Sequence, residues 1–265
     1  MNDDWVDAYL RQIGAHWPLH GDADELRELH ERHLTSVPFE NLGIHLGEPV
    51  TLLPDALIEK IVRRRRGGFC YELNGAFAEL LRALGYQVSV LGARVFGADG
   101  MPSHPFDHLV LWVQAGEPWL VDVGFGAHSR HPLRVFGYGE QADPDGTFEV
   151  VATADGDLDV LRDGVPQYRV ETRPRSLADF GPTCWYQQTS PESHFTRSLT
   201  CSLQRANGRI TLAGDRLIIT SDGERVERTL SGDDEVRAAY AEHFGIVLDR
   251  LPRQPAGPPM VPVSG

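Results

Sequence analysis

Apolar positions in the first third of the chain recur at helical spacing. Across 22–34, Leu26, Leu29, His30, His33 and Leu34 fall near one face, and across 54–65, Ala56, Leu57, Ile61 and Val62 alternate with charge. The most regular stretch is 71–84, where Leu73, Ala76, Phe77, Leu80, Leu81 and Leu84 follow the i, i+3, i+4, i+7 pattern of a buried stripe, and Gly85 supplies a stop. From residue 86 the period becomes two. Strands are predicted at 87–95, 108–113, 118–123, 148–153, 159–162 and 167–171, parted by the turn signals ADG, DPDG, ADGD and RDG. Further strands are expected at 201–205, 209–213, 216–221 and 224–230, followed by a helix over 233–244. The closing LPRQPAGPPMVPVSG is rich in Pro and Gly and reads as an extended tail. The chain is thus α+β: helices over 1–85, an antiparallel sheet or barrel over 86–200, a mixed α/β segment over 201–250, and a Pro-rich extended tail over 251–265.

Composition narrows the function classes. The net charge of −13 gives no broad attraction for nucleic acid. The longest apolar runs, such as LVLWV at 109–113, are too short to span a bilayer. The opening MNDDWVDAYLRQIG is acidic and amphipathic, unlike a signal peptide. Three widely spaced cysteines, Cys70, Cys184 and Cys201, give neither a disulfide framework nor a zinc ribbon, so a reducing cytoplasmic location is expected. No metal site is expected: His30 and His33 are three residues apart, whereas HExxH spaces its histidines by four. His128 and His131 read as surface residues. Lys60 is the only lysine of the chain, which we read as a matter of codon usage.

The chemistry starts at Arg66-Gly67-Gly68-Phe69-Cys70, where two glycines lead into the most regular helix. Cys70 is therefore placed at a helix N-terminus, where the macrodipole favours a thiolate, with Arg63 to Arg66 adding positive charge. A lone cysteine in such a place is more often a small core residue. A second feature changes the balance. The segments His108–Val113 and Trp119–Val123 flank QAGEP and read as a hairpin centred near Ala115, with 108 facing 122. Leu109, Leu111, Val113, Val121 and Val123 then face one core, and His108 meets Asp122 on the other face. An Asp beside a His fixes its tautomer and supports the imidazolium. Cys, His and Asp in this order form a thiol triad of the cysteine-protease type. Read from the residues alone, the chain is a Cys-dependent acyltransferase or hydrolase with no acyl donor specified.

Five blocks go further: SVPFENL at 36–42, RRGGFCYELNG at 65–75, DHLVLWV at 107–113, WLVDVGFG at 119–126 and CWYQQTSPESHF at 184–195. On these the sequence resembles the bacterial arylamine N-acetyltransferases over nearly its whole length. The resemblance implies an N-terminal helical bundle, a central antiparallel β-barrel and a C-terminal α/β lid. It implies acetyl-CoA as co-substrate and ping-pong transfer through an acetyl-Cys70 thioester to an arylamine or arylhydrazine nitrogen, or to the oxygen of an N-arylhydroxylamine. A monomer or homodimer is expected. His108 becomes the general base and Asp122 its orienter, with the Cys70 N–H as an oxyanion donor. Phe39, Tyr71, Phe125 and Phe195 are expected at the substrate site, and Gly124 and Gly126 in a flexible loop where coenzyme A passes. Glu40 and Arg66 are expected to pair and brace the Cys70 turn, and 201–245 is expected to act as the lid. His104 and Asp107 read as solvated loop. The same resemblance leaves one alternative, an amide synthase closing a macrolactam from a carrier-bound polyketide thioester. A papain-like or transglutaminase-like hydrolase and a non-catalytic binding module are the rivals outside it.

Overall fold

The computed structural model describes residues 4–137 and 139–253. Helices α1 (Asp4–Ile13) and α2 (Ala23–Ser36) precede a short strand β1 (Phe39–Glu40) and helices α3 (Leu42–Leu46), α4 (Pro54–Ile58) and α5 (Cys70–Ala83). Strands β2 (Gln87–Val95), β3 (His108–Ala115), β4 (Glu117–Val121), β5 (Leu133–Arg134), β6 (Gln141–Asp143), β7 (Gly146–Ala152), β8 (Leu158–Arg162) and β9 (Val165–Arg175) follow. After a 3-10 turn at Leu177–Phe180 come α6 (Gly181–Thr189) and α7 (His194–Arg197), then β10 (Thr200–Arg205), β11 (Gly208–Ala213), β12 (Arg216–Ser221), β13 (Glu224–Thr229) and α8 (Gly232–Phe244). Of the tail expected at 251–265, residues 254–265 lie outside the described residues.

The chain is mixed helix and sheet, built around a nearly closed antiparallel barrel of order β5-β4-β3-β2-β9-β8-β7-β6. A side chain helps to close it: the Gln141 amide accepts from Arg134 N at 2.8 Å and donates to Arg134 O at 3.0 Å, imitating a strand neighbour. A second sheet runs β1-β10-β11-β12-β13.

Burial gathers in three clusters. The helices pack α5 against Leu109, Leu111, Val113, Val121 and Val123, the odd positions of the β3–β4 hairpin. Even positions Val110 and Leu120 face the barrel interior with Phe148, Val160 and Tyr168. The second sheet packs on α8 and on Leu42 and Leu46 of α3. Helix α5 is buried on almost every face, so its Leu73, Phe77, Leu80 and Leu81, all 0% exposed, each contribute roughly 1.5–3 kcal/mol of burial. No helix among the described residues is long and apolar enough to cross a membrane.

Three local differences from expectation have physical causes. The hairpin turns at Gly116 (φ +76°), one residue later than expected, pairing Ala115 with Glu117 and Leu111 with Val121. Every cross-strand pair therefore shifts by two, and an even shift leaves each side chain on its expected face. The helix expected over 54–65 breaks into α4 and a π turn at Glu59–Arg63. There Lys60 turns inward, its Nζ 2.7 Å from Glu72 Oε1 and 3.9 Å from Glu40 Oε1. Finally, α6 and α7 stand inside the span expected to be strand. They are short, and the local signals are caps: Ser176 with Asp179 at the preceding 3-10 turn, Pro182 in the first turn of α6, and Ser193 accepting from Phe195 N.

Candidate active site

Cys70 is the first residue of α5, and a tightly built turn puts it there. Gly68 O accepts from Glu40 N at 2.8 Å, so the glycine pair runs against β1. A Cβ at Gly67 would lie 1.9 Å from Pro38 O, which excludes any larger residue. Glu72 reaches back to Phe69 N at 3.3 Å, and Lys60 holds that carboxylate. Arg66 pairs with Glu40 at 2.9 Å, as expected of a brace. Burial raises the Glu40 carboxyl, but Lys60 and Arg66 outweigh it and hold it below the usual carboxylate range.

His108 opens β3 and Asp122 follows β4 by one residue. His108 Nε2 lies 2.7 Å from Asp122 Oδ2, and both side chains are buried. The contact crosses the hairpin diagonally, as the shifted register requires. Asp122 Oδ1 accepts from Asn74 Nδ2 and from Gly124 N, both at 2.9 Å. Burial raises the Asp122 carboxyl, and His108, His128 and Asn74 more than reverse this, leaving it well below the usual range. With Nε2 committed to Asp122, Nδ1 is the ring nitrogen left for a further partner.

Cys70 and His108 line one cavity of about 540 Å³. Phe39, Phe125 and Phe195 line it as well, with Phe125 edge-on to His108 at 5.2 Å and Phe195 packed on Phe69 at 5.2 Å. Asn41 Nδ2 holds the Phe195 segment by its carbonyl at 2.8 Å. A flat aromatic guest fits such walls.

Several expectations are corrected here. The Tyr71 side chain does not line the cavity: it is buried edge-on to Phe69, its hydroxyl donating to Phe106 O at 2.8 Å and Asp107 O at 3.0 Å. Gly124 lines the cavity but is pinned rather than flexible. A Cβ there would lie 2.7 Å from Cys70 Cα, so the glycine is what lets the start of α5 meet the Asp122 loop. Gly126 stands beside the cavity in the left-handed region (φ +90°), near Phe39. Among the described residues no lining residue comes from 201–245; Tyr186 to Arg197 of α6 and α7 form that wall instead. His104 and Asp107, expected in solvent, line the cavity too. His128 is buried among Phe125, Phe148 and Tyr168, and burial holds its imidazole down at about 4, neutral near pH 7. Nor do the arginines lower the Cys70 thiol. Arg63, Arg64 and Arg65 are exposed and Arg66 is paired. Burial, then the charges of Asp107 and Asp122, push the thiol up, opposed only in part by the Tyr71 N–H.

Comparison with known proteins accords with this geometry. Residues 22–252 match the profile of a family described as N-acetyltransferase. The arylamine N-acetyltransferase of Mycolicibacterium smegmatis is 35% identical over 92% of this chain and 92% of its own. The chain belongs to the arylamine N-acetyltransferases. Within that family, the pineal gland isozyme NAT-10 of Gallus gallus is 31% identical over 92% of this chain and 95% of its own. Among solved arylamine N-acetyltransferases, that of Salmonella typhimurium superposes with a TM-score of 0.84 at 28% identity, covering 91% of both chains. That of Mycobacterium marinum, solved in complex with CoA, gives 0.81 at 32% identity, covering 91% of this chain and 92% of that one. Arylamine N-acetyltransferases are acyltransferases, and so is this chain.

Two supports of the site, Asn74 and His30, were given no part in it by the sequence. Asn74 lies one turn beyond Cys70 and ties Asp122 to α5, accepting from Val123 N at 2.9 Å and donating to Leu109 O at 2.6 Å. His30 bonds Arg130 O at 2.8 Å and Asp122 O at 3.2 Å. The available signal was a polar residue on an otherwise apolar helix face, which in a buried helix marks a committed partner.

Proposed function

We propose that the protein carries an acetyl group from acetyl-CoA to the nitrogen of an arylamine or arylhydrazine through an acetyl thioester on Cys70. The observation that carries this reading is the shared cavity. Cys70 and a His108 already oriented by Asp122 open onto one aromatic-walled space large enough for a flat acceptor.

The first half-reaction begins with the Cys70 proton. A thiol raised by burial ionises here only together with a base, so Sγ–H passes its proton to His108 Nδ1 and the thiolate exists as an ion pair with the imidazolium. The sulfur attacks the thioester carbon of acetyl-CoA. The Cys70 backbone N–H at the first position of α5 faces no partner within the helix and serves the resulting oxyanion. His108 returns its proton to the departing CoA sulfur, leaving acetyl-Cys70. In the second half-reaction the acceptor nitrogen attacks that carbon, His108 takes one proton, and Cys70 leaves as thiolate. Coenzyme A is anionic and the chain is acidic overall, so donor binding depends on local positive charge. The exposed rim of the cavity carries His194 and Arg197, which suit that need.

Such a scheme has a kinetic signature. Initial rates with acetyl-CoA varied at several fixed arylamine concentrations should give parallel double-reciprocal lines. Lines that intersect would mean a ternary complex and direct transfer, and would remove Cys70 from the acyl path.

A further inference from the structure

The cavity wall holds a carboxylate that the scheme above does not use. The wall contains two carboxylate residues, Asp107 and Glu192, and Glu192 is at the exposed rim. Asp107 is half-buried and directly precedes His108. Neighbouring side chains on an extended strand point to opposite faces, yet both of these line the same cavity. The preceding residue explains it. Phe106 is held in the left-handed region (φ +62°), an unfavourable place for a bulky side chain, and the turn there swings Asp107 in beside His108.

The surroundings fix that turn. Tyr71 clamps it to α5 through the carbonyls of Phe106 and Asp107. Phe106 packs on Phe180 at 5.2 Å, with Arg175 over its ring at 5.0 Å. Gln187 Nε2 donates to Asp107 Oδ1 at 2.7 Å, and Gln187 is itself held by Ser193 Oγ. Oδ2 has no hydrogen-bond partner among the described residues. A strained, triply braced turn thus holds the Asp107 carboxylate in the wall of the cavity that Cys70 also lines, with one oxygen left without a partner among the described residues.

The cost falls on the first half-reaction. After burial, the Asp107 charge does most to disfavour the Cys70 thiolate. A carboxylate held at that cost has its use at another step.

We propose that Asp107 accepts a hydrogen bond from the attacking nitrogen of the acceptor and so selects N–H nucleophiles over other nucleophiles at acetyl-Cys70. The inference rests on the thioester reading above. An arylamine or arylhydrazine brings two hydrogens on the attacking nitrogen. As the N–C bond forms, the nitrogen becomes cationic. One proton goes to His108 Nδ1, and the other stays on nitrogen, bonded to Asp107 Oδ2, and remains there in the product amide. The C–Sγ bond breaks and its electrons stay with Cys70. Asp107 gains and loses no proton. A thiol nucleophile has no second hydrogen to offer and receives none of this assistance.

The test compares two nucleophiles on one acetyl-enzyme. Wild type and Asp107→Asn are acetylated with p-nitrophenyl acetate and freed of excess reagent. They are then chased with phenylhydrazine or with benzenethiol, and loss of the acetyl group is followed by intact mass. The asparagine keeps an Oδ1 for Gln187 but turns an N–H toward the nucleophile. The ratio of hydrazine to thiol rate should fall about 30-fold, the worth of one charge-assisted hydrogen bond. If both rates change by the same factor, Asp107 only braces the turn and the proposal is overturned. If wild type gains no acetyl group, the thioester reading fails first and the proposal falls with it.

Discussion

Cys70→Ser folds and melts like the wild-type protein but loses acetyl transfer by on the order of 10³-fold or more. The fold is kept because the hydroxyl is smaller than the thiol, suits the first turn of a helix, and has the Tyr71 N–H as a hydrogen-bond partner. The activity goes because His108 cannot hold the proton of an alcohol as it holds that of a thiol. The raised Cys70 thiol makes this dependence sharper, since burial and two carboxylates already oppose the anion. A serine anion in the same place is far less accessible. Rate and thermal melt measured on one preparation check the result. Turnover within tenfold of wild type would place the nucleophile elsewhere, with buried Cys184 and Cys201 the residues to examine next.

Asp122→Asn is expected to lower the rate by about 10³–10⁴-fold while leaving a folded protein. Three hydrogen bonds to the carboxylate decide the outcome. Oδ1 accepts from Asn74 Nδ2 and from Gly124 N, so the amide oxygen of an asparagine must take that side. Its NH₂ then faces His108 Nε2, where Oδ2 now accepts at 2.7 Å. Nε2 must become the acceptor, the imidazole proton moves to Nδ1, and Nδ1–H can no longer take the proton of Cys70. Loss of the charge-assisted bonds costs about 1–3 kcal/mol of stability, so the melt shifts down but persists. Saturating amounts of both substrates should not restore the rate. A variant with near-normal turnover would show that His108 does not act as the base.

Much of this was legible because periodicity is local. The 3.6 period of Leu73, Phe77, Leu80 and Leu81 located α5, and alternation located β2 and β12 to the residue. The meeting of His108 with Asp122 survived an error of register because the faces of a strand repeat every two residues. Much of what escaped the sequence was decided by tertiary surroundings and by backbone conformation, neither of which periodicity reports. His128 turns inward because Phe125, Phe148 and Tyr168 surround it, and of these only Phe125 is close to it in sequence. Lys60 is half-buried against carboxylates twelve and twenty residues away, while Arg63, Arg64 and Arg65 stay in solvent. Asp107 faces the cavity only because Phe106 adopts a backbone conformation that its side chain disfavours. One cavity wall comes from the segment of α6 and α7, whose short helices carry caps but little periodicity, while the sheet of 201–245 packs its apolar face on α8 and on Leu42 and Leu46.

The central claim, an acetyl group held on Cys70 between donor and acceptor, is tested most directly by intact-protein mass spectrometry with peptide mapping. The protein is mixed with acetyl-CoA, then chased with aniline or an arylhydrazine. The account predicts a gain of one acetyl group, located on Cys70, that disappears on the chase with formation of the acetylated amine. A folded protein that gains no acetyl group from acetyl-CoA, or gains one that the amine does not remove, would contradict it, and a carrier-bound acyl thioester would be the next donor to try.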